Sequence, residues 1–371
     1  MTKAKGRTKQ FKYQQVVDTL REEIRSGKHK PGNRFPSEAA LVQRFGASRI
    51  TIGRALRELS QQGLVSRVAG SGTYLREGAA RDGLLFGLLI PDLGRTEIFE
   101  PICQGIAGAP EPGRHALLWA HLDAPAAALE QQAFELCDQY LEQKVAGVFF
   151  APVEGTEDAL GTNRSIAARL REAKIPIVLL DRCYLPYPKR SVHDLVGIDN
   201  RRAGYQATEH LLALGAGRVS FLAYRRTAST VDARIAGYRD AMFAYEAKEE
   251  NTQVYRLEEI STASVKALLD SSRKGDGVVC ANDRTAGEFL HAAINLGFRV
   301  PEDIRVVGID DLEYARLLPV PLTTIHQPCR ELGEAAMGLM LERIRRPNMT
   351  TRDVLLESRL VIRQSCGARR G

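Results

Sequence analysis

The chain has 371 residues, 44% of them hydrophobic and 26% charged, with a formal net charge of +7. Such a length carries two or three domains with ample core, and the composition is that of an ordinary globular protein. No run reaches the ~18 apolar residues of a membrane span, the basic start MTKAKGRTKQFKYQQ has no apolar segment behind it to make a secretory signal, and the six scattered cysteines show neither a C-x-x-C pair nor ligand spacing with the seven histidines. The expectation is a cytoplasmic protein with reduced thiols, no metal, no cofactor and no membrane partner.

In chain order, Val16, Val17, Leu20 and Ile24 give a first amphipathic helix, closed by Ser26-Gly27 and followed by the turn Pro31-Gly32. Ser37 is placed to cap a short second helix through Leu41, Val42 and Phe45, and Gly46 permits the tight turn after it. Ser48 then caps a third helix that stops at Gly63. On it Ile52, Ala55, Leu56 and Leu59 recur at the spacing of one buried face, while Arg49, Ile50, Gly53, Arg54 and Arg57 point the other way. Taken alone, that second face is also the pattern of a solvated charged surface. Two short apolar stretches, Leu64–Val68 and Thr73–Leu75, flank Gly70-Ser71-Gly72 and predict a β-hairpin.

Charge helps to decide. Residues 1–76 hold 16 basic against 5 acidic residues, and the rest of the chain 36 against 40, so the basic excess sits in the first fifth. This is the footprint of a polyanion partner, although charge does not separate DNA from RNA or a membrane surface. The element order does: helix, helix-turn-helix and hairpin make a winged helix-turn-helix, whose recognition helix enters the major groove by its N-terminal end. Arg49 and Arg54 then reach guanine edges or phosphates.

The stretches IRSGKHKPGNRFPSE, GASRITIGRALRELSQQGLV and GSGTYL resemble the DNA-binding domain of the GntR family over about residues 11–76. The resemblance implies a homodimer on a palindromic operator in double-stranded DNA. It carries family roles to Ser48, Arg49 and Thr51 and to Gly70 in the wing; Ser37, Ile50, Arg54, Arg57 and Ser71 complete the expected DNA-facing set. The chain departs from the family pattern at Ala39, Gly53 and Ala69, so the operator sequence does not carry over. Gly53 costs roughly 1 kcal/mol of helix propensity relative to alanine. Close approach to DNA or to the second helix is the expected reason.

A polar linker, REGAARDG, ends at Gly83, and domains are expected at 1–76 and 84–371 with residues 77–83 between them. Beyond it, continuous apolar runs at Leu84–Pro91, Ala116–Ala120, Gly147–Ala151 and Ile175–Leu180 alternate with helical patterns, as parallel strands covered on both faces do. The pattern repeats at Leu195–Ile198, Val219–Leu222, Gly277–Cys280 and Val306–Ile309. The fold class is therefore α/β: a winged helix-turn-helix followed by two doubly wound lobes, with ligands at the carboxyl ends of the strands. Trp119 is expected in the core.

The segments VGIDNRRAGYQATEHLLALGAGRVSFL, RIAGYRDAM, CANDRTAGEFLHAAINLGFRVPEDIRVVGIDD and PLTTIHQPCRELGEAAMGLMLERI resemble the LacI/GalR repressors, whose core is a periplasmic-binding-protein-like sugar clamp. With a GntR-type domain in front, the chain resembles the arabinose-repressor-like regulators. The implied partner is a small sugar-like effector, and the implied site residues are Asp181, Arg182, Arg234, Asn282, Asp310 and Gln327, with Phe99 as a packing surface. The residue types fit, because a hydroxyl both donates and accepts and so needs carboxylates, amides and a guanidinium around it. Each has a plainer alternative: a surface ion pair for Arg234, a helix cap for Asn282 or Asp310, a salt-bridged strand end for Asp181 and Arg182, a core position for Phe99. His326 reads as an interface or hinge histidine. An enzyme on the same scaffold is the competing class, but the chain has no G-x-S-x-G, no P-loop and no complete dinucleotide fingerprint. A structural nucleoid protein would need no polar cleft.

Overall fold

The computed structural model describes residues 4–25, 28–29, 34–61, 64–68, 72–75, 84–90, 97–110, 115–119, 129–248, 251–270 and 272–368. Two compact units result, the first ending at Leu85 and also taking in Glu111–Ala116, the second holding the rest.

The first unit contains α1 (Ala4–Arg25), α2 (Glu38–Phe45), α3 (Arg49–Gln61) and the strands β1 (Val65–Val68) and β2 (Gly72–Leu75). Its core is the set that periodicity selects: Val16, Val17, Leu20 and Ile24 from α1 pack with Leu41 and with Ile52, Ala55, Leu56 and Leu59. Local signals set the ends of the short helices. Ser37 Oγ accepts from Ala40 N at 3.2 Å, Ser48 Oγ from Thr51 N at 3.3 Å, and Gly46 takes the left-handed conformation (φ +55°) after α2. β1 and β2 pair antiparallel, Val65 opposite Leu75 and Val68 opposite Gly72. Glu23 ties α1 to α2. It accepts from Lys28 Nζ at 2.6 Å and from both terminal nitrogens of Arg44, with His29 Nε2 3.3 Å away. These bonds, Arg44's foremost, pull its carboxyl down to about 2 against the effect of burial.

Gly53 needs a correction. A Cβ there would meet nothing closer than Glu38 Oε1 at 3.9 Å, so contact with the second helix does not require glycine. The wing residues Ala69, Gly70 and Ser71, the linker through Gly83, and the turns Ser26-Gly27 and Pro31-Gly32 lie outside the described residues.

The second unit runs β3 (Leu85–Leu89), α4 (Phe99–Gly108), β4 (Ala116–Leu118), α5 (Leu129–Glu142), β5 (Gly147–Phe150), α6 (Ala159–Glu172), β6 (Ile177–Leu180) and β7 (Asp194–Ile198). It continues with α7 (Asn200–Ala213), β8 (Val219–Tyr224), α8 (Ser229–Ala244), β9 (Thr252–Leu257), α9 (Thr262–Leu269), β10 (Asp276–Cys280) and α10 (Asp283–Asn295). The last elements are β11 (Ile304–Asp310), β12 (Thr323–His326), α11 (Cys329–Arg345), β13 (Asp353–Leu356) and β14 (Arg359–Val361). Two six-stranded sheets form the lobes, ordered β13-β7-β6-β5-β3-β4 and β14-β12-β11-β10-β8-β9.

The lobes are not successive halves of the chain. β7, expected to open the second repeat, pairs parallel with β6 and belongs to the first sheet. An apolar run states that a strand is buried but not which neighbour it takes. The chain consequently passes between the lobes after β7, after β12 and between β13 and β14. Trp119 is also corrected: it follows the edge strand β4 and is 56% exposed. Helices α7 and α8 cross at glycines, where a Cβ on Gly204 would lie 2.0 Å from the Arg234 carbonyl oxygen and one on Gly237 would lie 1.8 Å from that of Arg201. That contact fixes the backbone from which Arg234 projects.

Candidate functional site

The cleft lies between the lobes, at the carboxyl ends of the strands, as doubly wound sheets dictate. Three aspartates there hold left-handed backbone: Asp181 just after β6 (φ +67°), Asp310 ending β11 (φ +132°) and Asp311 (φ +60°). Non-glycine residues in such conformations cost about 1–3 kcal/mol each and persist where surrounding structure imposes them, commonly at functional sites. A cavity of 390 Å³ is lined by Asp181 and Arg182 of the first lobe and by Arg234, Asn282 and Asp310 of the second.

Arg234 is buried, not a surface ion pair. Its Nε donates to Asn200 Oδ1 at 2.8 Å, its Nη1 to the Ala281 carbonyl at 2.6 Å, and its Nη2 stands 3.5 Å from Asp310 Oδ1. Asp310 caps no helix. Its Oδ1 accepts from Gln327 Nε2 at 2.5 Å, and it is Asp283 that receives the Leu312 N–H, at 2.9 Å. Burial pushes the Asp310 carboxyl up, opposed first by Arg234. Asn282 both caps and lines: its Oδ1 accepts from Thr285 N at 2.9 Å and it faces the cavity.

Arg182 and Asp181 pair with each other at 2.8 Å, and the guanidinium also donates to the Pro152 carbonyl at 3.0 Å. It lies 5.5 Å from the centre of the Phe99 ring. Phe99, 1% exposed, therefore supports the arginine and offers no face to the cavity, which corrects its expected role as a packing surface. An adjoining cavity of 680 Å³ shares Asp310 and Leu312 with the first and is lined by Gln327, Cys329 and His326. His326 Nδ1 is 3.0 Å from Asp311 Oδ2.

Sequence reasoning missed the contact that joins the lobes. Glu154, in the loop after β5, accepts from Ser229 N at 2.9 Å and from Ser229 Oγ at 2.8 Å, and stands 3.4 Å from Arg182 Nε. Ser229 opens α8 in the other lobe, whose own N-cap residue, Ala228, makes no side-chain cap bond. A carboxylate of one lobe thus caps a helix of the other. Burial raises the Glu154 carboxyl, opposed by Arg182 and Ser229. The missed signal was its position at the carboxyl end of a strand. Asn200, the orienting partner of Arg234, was missed in the same way.

These groups suit reversible binding of a hydroxyl-rich molecule. Carboxylates, amides and guanidinium provide both acceptors and donors, with the charges already balanced in pairs. The Cys329 thiol beside them is pushed up by burial, which leaves it a poor nucleophile. Among the described residues no group of three or more His, Cys, Asp or Glu side chains is arranged for a metal ion, and no helix is long and apolar enough to cross a membrane.

In the first unit, Arg49, Arg54 and Arg57 are exposed on one side of α3, and Ile50 beside them is 81% exposed. The Arg54 guanidinium stacks 4.6 Å from the Tyr13 ring centre, and Arg57 Nε donates to the Gly53 carbonyl at 3.3 Å. Ser48 and Thr51 hydroxyls lie 2.9 Å apart at the helix start. Arg34, not anticipated from sequence, bridges to Tyr74 of the hairpin and crowds Gly72.

Residues 12–75 match the family of bacterial regulatory proteins called gntR, and residues 208–366 match the periplasmic binding protein-like domain. The arabinose metabolism transcriptional repressor of Geobacillus stearothermophilus is 26% identical over 366 residues, covering 95% of this chain and 97% of that protein. The transcriptional repressor PurR of Vibrio atlanticus is 33% identical over 180 residues, 47% of this chain and 52% of that one. A LacI-family transcriptional regulator from Enterococcus faecium, solved with bound ribose, superposes with a TM-score of 0.61 at 25% identity, over 76% of this chain and 98% of that one. These relatives are regulators of transcription, and this chain joins a domain that matches the gntR family to one that matches the periplasmic binding protein-like domain.

Proposed function

We propose that the chain is a repressor that binds a palindromic operator as a homodimer and is controlled by a small sugar held between Asp181, Arg182, Arg234, Asn282, Asp310 and Gln327. The observation that carries the reading is the convergence, at one cleft, of a buried guanidinium and carboxylates from both lobes, in a chain whose other unit exposes an arginine-rich helix face. Residues 1–76 form the reading head, with Ser37, Ser48, Arg49, Ile50, Thr51, Arg54, Arg57, Gly70 and Ser71 facing DNA. Residues 84–371 hold the effector and the dimer, and residues 77–83 join the two. Effector and operator are linked reciprocally: a sugar that weakens DNA binding is itself bound more weakly by the DNA complex.

Pentoses come first among effectors, given an arabinose metabolism repressor among the relatives and ribose in a related structure. The test is a panel of neutral and phosphorylated sugars read by thermal shift, followed by competition of each hit against operator DNA in fluorescence anisotropy. A hit that shifts melting and changes operator affinity supports the reading. A chain that binds DNA but responds to no sugar overturns the effector assignment.

A further inference from the structure

We infer that Ile50 and Gly53 form an apolar notch on α3 that reads the 5-methyl group of a thymine in each operator half-site. The inference rests on the operator reading above and adds a base to it. An isoleucine 81% exposed near the start of a helix makes no contribution to the core, which α3 supplies from Ile52, Ala55, Leu56 and Leu59. Its neighbour one turn on is Gly53, since positions three apart share a helix face.

Glycine in a helix interior is unfavourable relative to alanine, and packing does not account for it here. A Cβ at this position would find only ordinary contact, 3.9 Å to Glu38 Oε1. The missing side chain leaves open the space beside Ile50. Arg57, a turn further, folds back so that Nε donates to the Gly53 carbonyl at 3.3 Å. Arg54 is held over Tyr13 and leaves the notch clear. The hollow thus has an apolar wall at Ile50, a backbone floor at Gly53, and the Glu38 carboxylate and the arginines at its rim.

In the major groove of unmodified DNA, the apolar group that a base edge presents is the thymine methyl. Arginines at the rim meet phosphates or guanine, and the Glu38 carboxylate stands 3.9 Å from where a Gly53 Cβ would lie, so the apolar contact the notch offers is that of Ile50. Burying one methyl group corresponds to a factor of about four in affinity per half-site, or about fifteen on a two-half-site operator.

The test uses the full chain and a random duplex library. Selection should enrich a palindrome with one invariant thymine per half-site, and Ile50→Ala should relax that position and no other. Replacing that thymine by deoxyuridine, which removes only the methyl, should weaken wild-type binding about fifteenfold and leave Ile50→Ala unaffected. Gly53→Arg, which fills the notch from the other side, should abolish the same discrimination. Both substitutions are at exposed or uncrowded positions, and unchanged melting temperatures check that the fold is kept. An enriched palindrome indifferent to deoxyuridine overturns this inference and leaves the operator reading intact. Failure to enrich any sequence overturns both.

Discussion

Removing the carboxylate of Glu154 should weaken effector binding without touching operator binding. Glu154 belongs to the first lobe, and Ser229, whose N–H and hydroxyl it receives at 2.9 and 2.8 Å, opens a helix of the second. Separating the lobes breaks both bonds and the 3.4 Å approach to Arg182. Loss of a helix cap costs about 0.5–2 kcal/mol, and a hydrogen bond to a charged group contributes about 1.5–3 kcal/mol. Because the two descriptions overlap in the same contacts, about 2 kcal/mol is a fair total for Glu154→Ala. That loss falls on the arrangement in which both lobes touch the ligand, so the apparent dissociation constant should rise about thirtyfold. Glu154→Gln, which keeps an acceptor for Ser229 but no charge for Arg182, should fall between. Calorimetry with the sugar that most raises the melting temperature gives the constant, and anisotropy with operator DNA gives the control. Wild-type sugar affinity in Glu154→Ala would refute the idea that this contact holds the lobes together, as would an equal loss of operator affinity in the absence of sugar.

Asp310→Asn keeps the shape and one acceptor oxygen but removes the negative charge opposite Arg234, and should weaken the sugar tens of fold by calorimetry; unchanged affinity would make the carboxylate a structural partner only. Arg49→Ala should lower affinity for the selected operator by about 1–3 kcal/mol and leave a scrambled duplex unaffected, measured by titrating both at one salt concentration. In the first unit, Glu23 is held at about 2 in the folded chain, below its ordinary 4.5. Its contribution is therefore complete above pH 4.5 and lost as pH falls toward 2. Glu23→Gln should lower the melting temperature at neutral pH and flatten the acid limb of the pH curve; identical limbs would refute the linkage.

The first unit was legible because its determinants are local. Ile52, Ala55, Leu56 and Leu59 announce a buried face by spacing alone, and Ser37 and Ser48 announce the helix starts they cap. Whether the second helix requires glycine at position 53 was not legible, since that depends on the distance to Glu38. In the second unit the strands could be found as apolar runs, but β7 was given to the wrong sheet because pairing is a long-range choice. Asp181, Arg182, Arg234, Asn282 and Asp310 line one cavity, and each lies in a stretch that the sequence alone singles out. Glu154 and Asn200 had no motif to mark them, and their importance comes from partners 75 and 34 residues away in the chain. Phe99 shows the opposite failure: the residue was found, but the guanidinium that covers it was not foreseeable.

Helix α11 couples two distant places by stiffness alone. Its 17 unbroken residues span about 25 Å at 1.5 Å per residue. It starts two residues after Gln327, whose amide donates to Asp310 on the cleft floor. Its last turn carries Arg343, which grips Asp194 through Nε at 2.8 Å and Nη2 at 2.9 Å and also donates to the Met349 carbonyl at 2.6 Å. Asp194 opens β7 at the amino edge of the first sheet, the same edge at which the parallel strand β3 begins. Both ends of the rod are anchored, so the helix holds Gln327 and that edge at a fixed separation. The helix is a strut, with one end at the cleft floor and the other at the amino edge of the first sheet.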